Sequence, residues 1–127
     1  MMSVSEVPES KKKILHISTR DALRPIRDEV LRLSGFKIES TSSYEEGLKL
    51  FNQCAFDLVL VDVEGEESVS LAEQLCAEIK TQHHGQRVAF VCNWRVAILT
   101  DCPDEILRTE FDPAAFVAGV RKTLMNS

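Results

Sequence analysis

Apolar positions along the chain follow two periodicities, short continuous runs and longer stretches with apolar residues three or four apart. The short runs predict five strands, near residues 13–17, 36–40, 57–62, 87–92 and 105–108. Helical spacing separates most of them, over 22–34, from Ser43 to about Cys54, over 68–80 and over 114–124. Because strands and helices alternate, we expect a parallel sheet covered by helices on both faces.

The third strand is the strongest of these signals. Its sequence, Phe-Asp-Leu-Val-Leu-Val-Asp from Phe56 to Asp62, is almost continuously apolar and ends in a carboxylate. Continuous apolar runs are typical of strands buried on both faces of a parallel sheet. Ligands of open parallel sheets bind beyond the carboxyl ends of the strands. Asp62 is therefore the first candidate for chemistry.

Residues that start and stop helices fit the same order of elements. Asp21 is expected to cap the first helix, and Gly35 to follow it. Ser43 and Glu46 form a capping box, and Asp112 precedes Pro113 at the start of the last helix. The apolar residues expected to face the core are Leu23, Ile26, Val30 and Leu33 in the first helix, Leu71, Ala72, Leu75 and Ile79 in the third, and Phe116, Val117, Val120 and Leu124 in the last.

Length and charge limit the classes of protein to consider. With 127 residues, we expect one domain, 11–127, after a flexible polar tail, 1–10. The net charge of −5 and the pI of about 5.2 argue against nucleic-acid binding, which requires a basic surface. Neither a membrane span nor a signal-peptide core is visible, so we expect a cytoplasmic protein without a membrane partner.

Metal-binding patterns are weak. The four cysteines, at positions 54, 76, 92 and 102, are scattered and are expected to be free thiols in a reducing compartment. His83 and His84 lie in a polar turn, where solvation is a better explanation than a zinc site. The acidic loop of Glu64, Glu66 and Glu67 is likewise expected to be solvated rather than to bind a cation.

The order of these motifs resembles the receiver domain of two-component response regulators. Lys13-Ile14-Leu15, the run from Phe56 to Asp62, and Phe111-Asp112-Pro113 carry the resemblance, which covers Lys11 to Asn126. It implies a flavodoxin-like, doubly wound five-stranded parallel sheet of order 2-1-3-4-5. The stretch from Asn93 to Asp104 is short for that family, so we expect the fourth helix to be shortened or missing.

In that family Asp62 corresponds to the aspartate that accepts a phosphoryl group, but the positions that assist it differ here. An acidic pair that binds Mg²⁺ is replaced by Ser18 and Thr19, and hydroxyls are poor ligands for a hard cation. A phosphate-contacting lysine is replaced by Thr109, and a hydroxyl residue by Cys92. These degenerate positions indicate a pseudo-receiver, with no cofactor, no metal at the site and at most weak Mg²⁺ binding.

The resulting interpretation is a non-enzymatic, single-domain pseudo-receiver that binds another signalling protein. The partner is a protein such as a histidine kinase, and the chain itself is expected to be a monomer or a weak dimer. Trp94 is the candidate interface residue, although packing on the sheet would explain it equally well. The alternative is a receiver that accepts phosphate on Asp62 from a histidine kinase. A third interpretation, an enzyme or a flavin-binding protein on the same fold, has no support, because the sequence contains neither a Gly-rich phosphate loop nor a nucleophile–base pair.

Overall fold

The computed structural model describes residues 11–93, 96–98, 100–108 and 112–125. Its five strands form one parallel sheet in the order β2-β1-β3-β4-β5, which confirms the predicted fold class and strand order. The elements are β1 (Lys13–Ile17), α1 (Arg24–Leu33), β2 (Lys37–Thr41), α2 (Tyr44–Gln53), β3 (Leu58–Asp62), α3 (Glu66–Gln82), β4 (Val88–Cys92), β5 (Glu105–Arg108) and α4 (Pro113–Met125).

Alternation of side chains along the central strands produces two cores, one on each face of the sheet. Residues of β3 show this directly, since Val59 and Val61 face the core that α2 and α3 cover. Leu58 and Leu60 face the opposite core, which α1 and α4 cover. All five residues of β3 are buried, as expected of the central strand of a parallel sheet.

The stretch between β4 and β5 contains no helix among its described residues, as the short sequence predicted. Hydrogen bonds attach it to the sheet instead. Asp104 donates its backbone N–H to the carbonyl of Val88 at 2.7 Å, and its Oδ2 accepts the Val88 N–H at 2.8 Å. At the other end, the Ala97 N–H donates to Oε1 of Glu66 at 3.1 Å. Glu66 therefore supports this stretch and is not merely solvated.

The predicted apolar faces are partly wrong. Leu33 is 79% exposed, Leu71 is 56% exposed and Ile26 is 46% exposed, whereas Leu31 and Asp28 of α1 are buried. The inner side of α1 is therefore rotated relative to the prediction, because it brings a carboxylate rather than a full apolar stripe to the sheet. The last helix follows its prediction, since Phe116, Val117 and Val120 are buried and Leu124 packs partly against them.

Two of the four predicted helix-end signals are confirmed in full, and the capping box is confirmed in one of its two hydrogen bonds, because the Ser43 N–H donates to Oγ1 of Thr41 at 3.4 Å. The hydroxyl of Ser43 accepts the Glu46 N–H at 3.0 Å, Gly35 has a positive φ of 101°, and Oδ1 of Asp112 accepts the Ala114 N–H at 3.1 Å. The expected cap by Asp21 is wrong, because α1 begins after Leu23 without a side-chain cap and Asp21 pairs with Arg24 instead. None of the described helices is long and apolar enough to cross a bilayer.

Candidate functional site

Asp62 lies at the carboxyl end of β3, next to the carboxyl end of β1. Parallel pairing places His16 of β1 opposite Leu60, which lies two residues before Asp62 and on the same face of the sheet. His16 is completely buried and Asp62 is 1% exposed. Both side chains point towards α1, because they alternate with Ile17 and Val61 of the opposite core.

A continuous chain of polar contacts passes through these residues. Nε2 of His16 lies 3.1 Å from Oδ1 of Asp62, and Nδ1 of His16 lies 2.8 Å from Oδ1 of Asp28 in α1. The hydroxyl of Ser40 donates to Oδ2 of Asp28 at 2.6 Å. At the other end, Nη1 of Arg27 donates to Oδ2 of Asp62 at 2.8 Å. We call these five residues, His16, Arg27, Asp28, Ser40 and Asp62, the Asp62 network.

Electrostatics favour the charged form of each titrating member. Burial alone would lower the pKa of His16, but its hydrogen bonds to Asp28 and Asp62, together with their charges, raise that pKa to about 9. Burial opposes ionisation of Asp62, yet the hydrogen bond and charge of His16, then the charge of Arg27, lower its pKa. The pKa of Asp28 is lowered in the same way by His16 and Ser40. At neutral pH the network therefore holds two cations and two carboxylates.

Protonation also explains the hydrogen-bond geometry of His16. A neutral imidazole donates from one ring nitrogen only, whereas an imidazolium donates from both. Each ring nitrogen here faces a carboxylate oxygen of an ionised aspartate. His16 is therefore an internal cation that bridges β1, α1 and β3.

The two hydroxyl positions predicted beside Asp62 differ in their roles. Ser18 is fully buried, and a hydrogen bond from it contributes to the lowered pKa of Asp62. Its hydroxyl also accepts the Arg20 N–H at 3.3 Å. Thr19 is exposed at the surface. Tyr44 adds a contact, since its hydroxyl donates to the backbone carbonyl of Asp62 at 3.2 Å.

Cys92 lies at the end of β4, directly after Val91, which pairs with Asp62. Its Sγ is 3.7 Å from Nη1 of Arg108, a cation that sequence analysis did not place there. Burial raises the pKa of Cys92, although Arg108 opposes this effect. Cys92 is therefore a thiol at neutral pH and a poor candidate for a reactive thiolate. Thr109 and Trp94 lie outside the described residues.

Sequence reasoning missed four members of the Asp62 network: His16, Arg27, Asp28 and Ser40. Arg27 was not predicted to reach the site, but its side chain is only 14% exposed and its charge is paired with Asp62. His16 and Asp28 were not singled out at all. The signal available was His16 itself, because a histidine inside a buried strand needs polar partners for both ring nitrogens.

The same geometry bears on metal binding. Across the described ranges, no three His, Cys, Asp or Glu residues are arranged to hold a metal ion. Mg²⁺ prefers carboxylates with free oxygen lone pairs and keeps several of its waters. At Asp62 it would share each oxygen with a cationic donor, His16 on one side and Arg27 on the other. These residues do not fit the Mg²⁺ site that the resemblance implies.

Comparisons with known proteins relate the fold to one group of solved structures. No protein-family model matches the sequence, and a search of curated proteins finds no match. Chemotaxis response regulator CheY4 of Vibrio cholerae superposes with a TM-score of 0.77 at 14% identity, covering 90% of this chain and 99% of that one. A CheY-like receiver domain protein from Methanospirillum hungatei gives 0.74 at 17% identity, covering 91% and 94%.

A third neighbour was solved with its ligands. Response regulator TrrA of Thermotoga maritima, in complex with Mg²⁺ and BeF, gives a TM-score of 0.75 at 22% identity, covering 88% of this chain and 98% of that one. TrrA was also solved in complex with the histidine kinase ThkA. At these identities the likeness establishes the architecture and not the activity. The chain therefore has the flavodoxin-like fold of CheY-like response regulator receiver domains, with an internally neutralised aspartate at the carboxyl end of β3.

Proposed function

We propose that this chain is a receiver-like signalling domain that acts by binding another protein, without conventional Mg²⁺-dependent phosphorylation of Asp62. One observation carries the proposal: both oxygens of the buried Asp62 carboxylate are held by cations of the same chain. His16 and Arg27 thereby neutralise Asp62 from within, so that it can act as a structural carboxylate.

The geometry opposes phosphoryl transfer at the nucleophile. To attack phosphorus, a carboxylate oxygen must turn a free lone pair towards the donor in line with the leaving group. Asp62 is 1% exposed, and each oxygen accepts a charge-assisted hydrogen bond. Its lowered pKa also makes Asp62 a weaker nucleophile.

Charge opposes the metal that this chemistry requires. A divalent cation and a unit positive charge about 4 Å apart repel by about 8 kcal/mol at an effective dielectric constant of about 20. Mg²⁺ beside Asp62 would meet this repulsion from Arg27 and from the imidazolium of His16. Exposed Thr19 and buried Ser18 supply no carboxylate to offset it.

The second candidate, a phosphorylatable receiver, is favoured by one feature of the same site. Arg27 is a guanidinium at the mouth of the sheet, and guanidinium groups bind phosphoryl oxygens well. If it released Asp62, it could contact a phosphoryl group in place of the missing lysine. The complex of TrrA with a histidine kinase provides the corresponding type of partner.

Phosphorylation is tested by incubating the chain with acetyl phosphate and Mg²⁺ and measuring its intact mass. We expect no stoichiometric adduct in the wild type, and none in Asp62→Asn. Arg27→Gln tests whether the Arg27 charge is what prevents phosphorylation, because it frees Oδ2 of Asp62. Arg24→Gln is its matched control on the same helix. A stoichiometric wild-type adduct that Asp62→Asn abolishes would establish the second candidate.

The proposed partner surface is the stretch from Asn93 to Asp104, with Trp94 as its anchor. Hydrogen bonds attach Ala97 to Glu66 and Asp104 to Val88, so a partner would meet pre-ordered backbone at these two described positions. A protein captured from native cells would be titrated by calorimetry, with and without beryllofluoride and Mg²⁺. We expect less than a tenfold effect, about 1.4 kcal/mol. Unchanged affinity in a folded Trp94→Ala variant would contradict this surface.

A further inference from the structure

Two cysteines far apart in sequence meet on the side of the sheet opposite the Asp62 network. Cys76 lies in the middle of α3 and is fully buried, and Cys102 lies just before β5 and is partly buried. Their Sγ atoms are 2.7 Å apart, with both residues present as free thiols. A disulfide requires about 2.05 Å between sulfurs, so less than about 1 Å of closure separates the two states.

The surrounding contacts fix both cysteines in place. Lys80, one helical turn after Cys76, donates from Nζ to Oδ2 of Asp104 at 2.7 Å. Asp104, two residues after Cys102, is also bonded to β4 through its backbone N–H and its carboxylate. The Cys102 N–H donates to Oγ1 of Thr100 at 3.1 Å. This ion pair and these hydrogen bonds hold the two thiols together before any covalent bond forms.

We propose that Cys76 and Cys102 are a redox pair that forms a reversible intramolecular disulfide when the protein meets a peroxide. The thiolate of Cys102 attacks a peroxide oxygen, the O–O bond breaks, and a sulfenic acid and hydroxide form. Cys76 then gives its proton to hydroxide and attacks the sulfenic sulfur, forming the S–S bond as the S–O bond breaks and hydroxide leaves. In total two thiols are oxidised, hydrogen peroxide is reduced to two waters, and an external thiol reverses the bond.

The environments of the two sulfurs assign their order of reaction. Cys102 is the more accessible, so the oxidant reaches it first. Burial, then the hydrogen bond and charge of Cys102, raise the pKa of Cys76, so Cys76 is a poor first nucleophile. It is instead positioned to resolve a sulfenic acid formed beside it.

A bond between these residues would link two parts of the structure. They are 26 positions apart, and the disulfide would tie α3 to the stretch that leads into β5. Closing such a loop stabilises mainly by restricting the unfolded chain. Any effect on partner binding through the 93–104 stretch rests on the proposed function, whereas the disulfide itself does not.

The test is thiol mapping of the folded chain in a Cys54→Ser background, which removes the exposed cysteine. The protein is treated with hydrogen peroxide, denatured and alkylated, and its mass is measured before and after reduction. We expect one alkylated thiol instead of three, a mass two hydrogens below that of the reduced protein when alkylation is omitted, and a cross-linked peptide containing Cys76 and Cys102. The melting temperature should rise by about 10 °C on oxidation, and reduction should reverse the rise.

Matched variants separate this pair from the remaining thiol. Cys102→Ser, at the less buried position, should abolish both the cross-link and the rise in melting temperature, whereas Cys92→Ala should retain both. Retention of all three thiols in the folded protein, a bond that includes Cys92, or over-oxidation of Cys102 without a cross-link would each overturn the proposal. The cross-link and the rise in melting temperature depend neither on a partner nor on phosphorylation, so failure of either of those tests leaves them unchanged.

Discussion

The two faces of the sheet are built from the same strands but are stabilised differently. The face under α2 and α3 packs aliphatic and aromatic side chains, with Val59, Val61 and Ile79 fully buried. The face under α1 and α4 contains a similar apolar core, but near the carboxyl ends of β1 and β3 it also holds the Asp62 network. The first depends on removal of apolar surface from water, and the second also on the protonation of three side chains.

This difference relates stability to chemistry at the site. Buried charges are stable only when they are paired, and removing one partner costs more than the pair contributes. In the Asp62 network every charge has a partner within the chain, and Ser40 satisfies the second oxygen of Asp28. The carboxylate that would accept a phosphoryl group in a receiver is thereby part of the internal structure.

The largest expected effect is that of His16→Leu, which keeps a similar volume but removes the imidazolium between Asp28 and Asp62. We expect the free energy of unfolding at neutral pH to fall by about 3–5 kcal/mol, because two buried carboxylates lose their shared cation. Urea unfolding followed by circular dichroism measures the change.

The double variant His16→Leu/Asp28→Leu is the matched control for this loss. It replaces one ion pair by apolar side chains and leaves Asp62 paired with Arg27. Such replacements are often neutral, so we expect much of the stability to return. Exposed ion pairs contribute at most about 1 kcal/mol. A smaller loss than this in the single variant would contradict a network of buried charges around Asp62.

The second largest effect is expected from alkaline pH, which should lower the contribution of the Asp62 network to the free energy of unfolding. The pKa of His16 is raised from 6.5 to about 9, so its contribution is fully present below 6.5 and is lost as pH rises through about 9. That shift corresponds to about 3 kcal/mol. Urea unfolding over this range measures it, and the difference between wild type and His16→Leu should shrink by about 3 kcal/mol above the pKa of His16. A constant difference would show that His16 is neutral in the folded protein.

Acid should act on the same network through its carboxylates. The pKa values of Asp28 and Asp62 are lowered, so their contribution is present above the ordinary value of 3.8 and is lost as pH falls below it. The free energy of unfolding of the wild type should therefore be nearly constant between pH 3.8 and pH 6.5.

Mg²⁺ affinity at Asp62 tests whether the cations of the Asp62 network neutralise this carboxylate. Titration of Mg²⁺ into the wild type, followed by amide shifts around Asp62, should not saturate at millimolar concentrations. Arg27→Gln removes the cation from Oδ2 of Asp62 and should tighten binding roughly tenfold, about 1.4 kcal/mol. Arg24→Gln, which removes contacts with Ser18 and Asp21, should leave it weak. Saturable millimolar binding in the wild type would refute the internal neutralisation of Asp62.

The smallest effect is expected on the apolar face. Ile79→Val removes one buried methylene and should lower the free energy of unfolding by about 1 kcal/mol. The loss should be the same at neutral pH and above the pKa of His16, because no titrating group contributes to it. Urea unfolding at both pH values provides the check, and a pH-dependent loss would show that the two faces are coupled.

Most of the fold could be predicted from the sequence because strand and helix signals are local. Apolar runs, Gly35, the Ser43 capping box and Asp112 indicate elements through interactions within a few residues. The absence of a helix in described parts of 93–104 was expected because this stretch is short relative to the family that the sequence resembles.

The site could be predicted only in part, because its contacts are long-range. Asp62 and Ser18 follow from their positions at strand ends. The pairing of Arg27 with Asp62 joins residues 35 positions apart, and no local pattern encodes it. The same holds for His16 and Asp28, which form a buried ion pair. Because Asp28 lies on the inner side of α1, that side differs from the one that the apolar residues of the helix indicate.

Nitrogen NMR of isotope-labelled histidine tests the central claim most directly, since it reports the protonation of each ring nitrogen of His16. Variants at His83 and His84 assign the other signals. We expect both ring nitrogens of His16 to carry protons at neutral pH, with titration at a pKa of about 9. Asp62→Asn should lower that pKa, because it removes one of the two carboxylates that stabilise the imidazolium. A neutral ring at neutral pH, or a titration unaffected by Asp62→Asn, would contradict the internal neutralisation of Asp62.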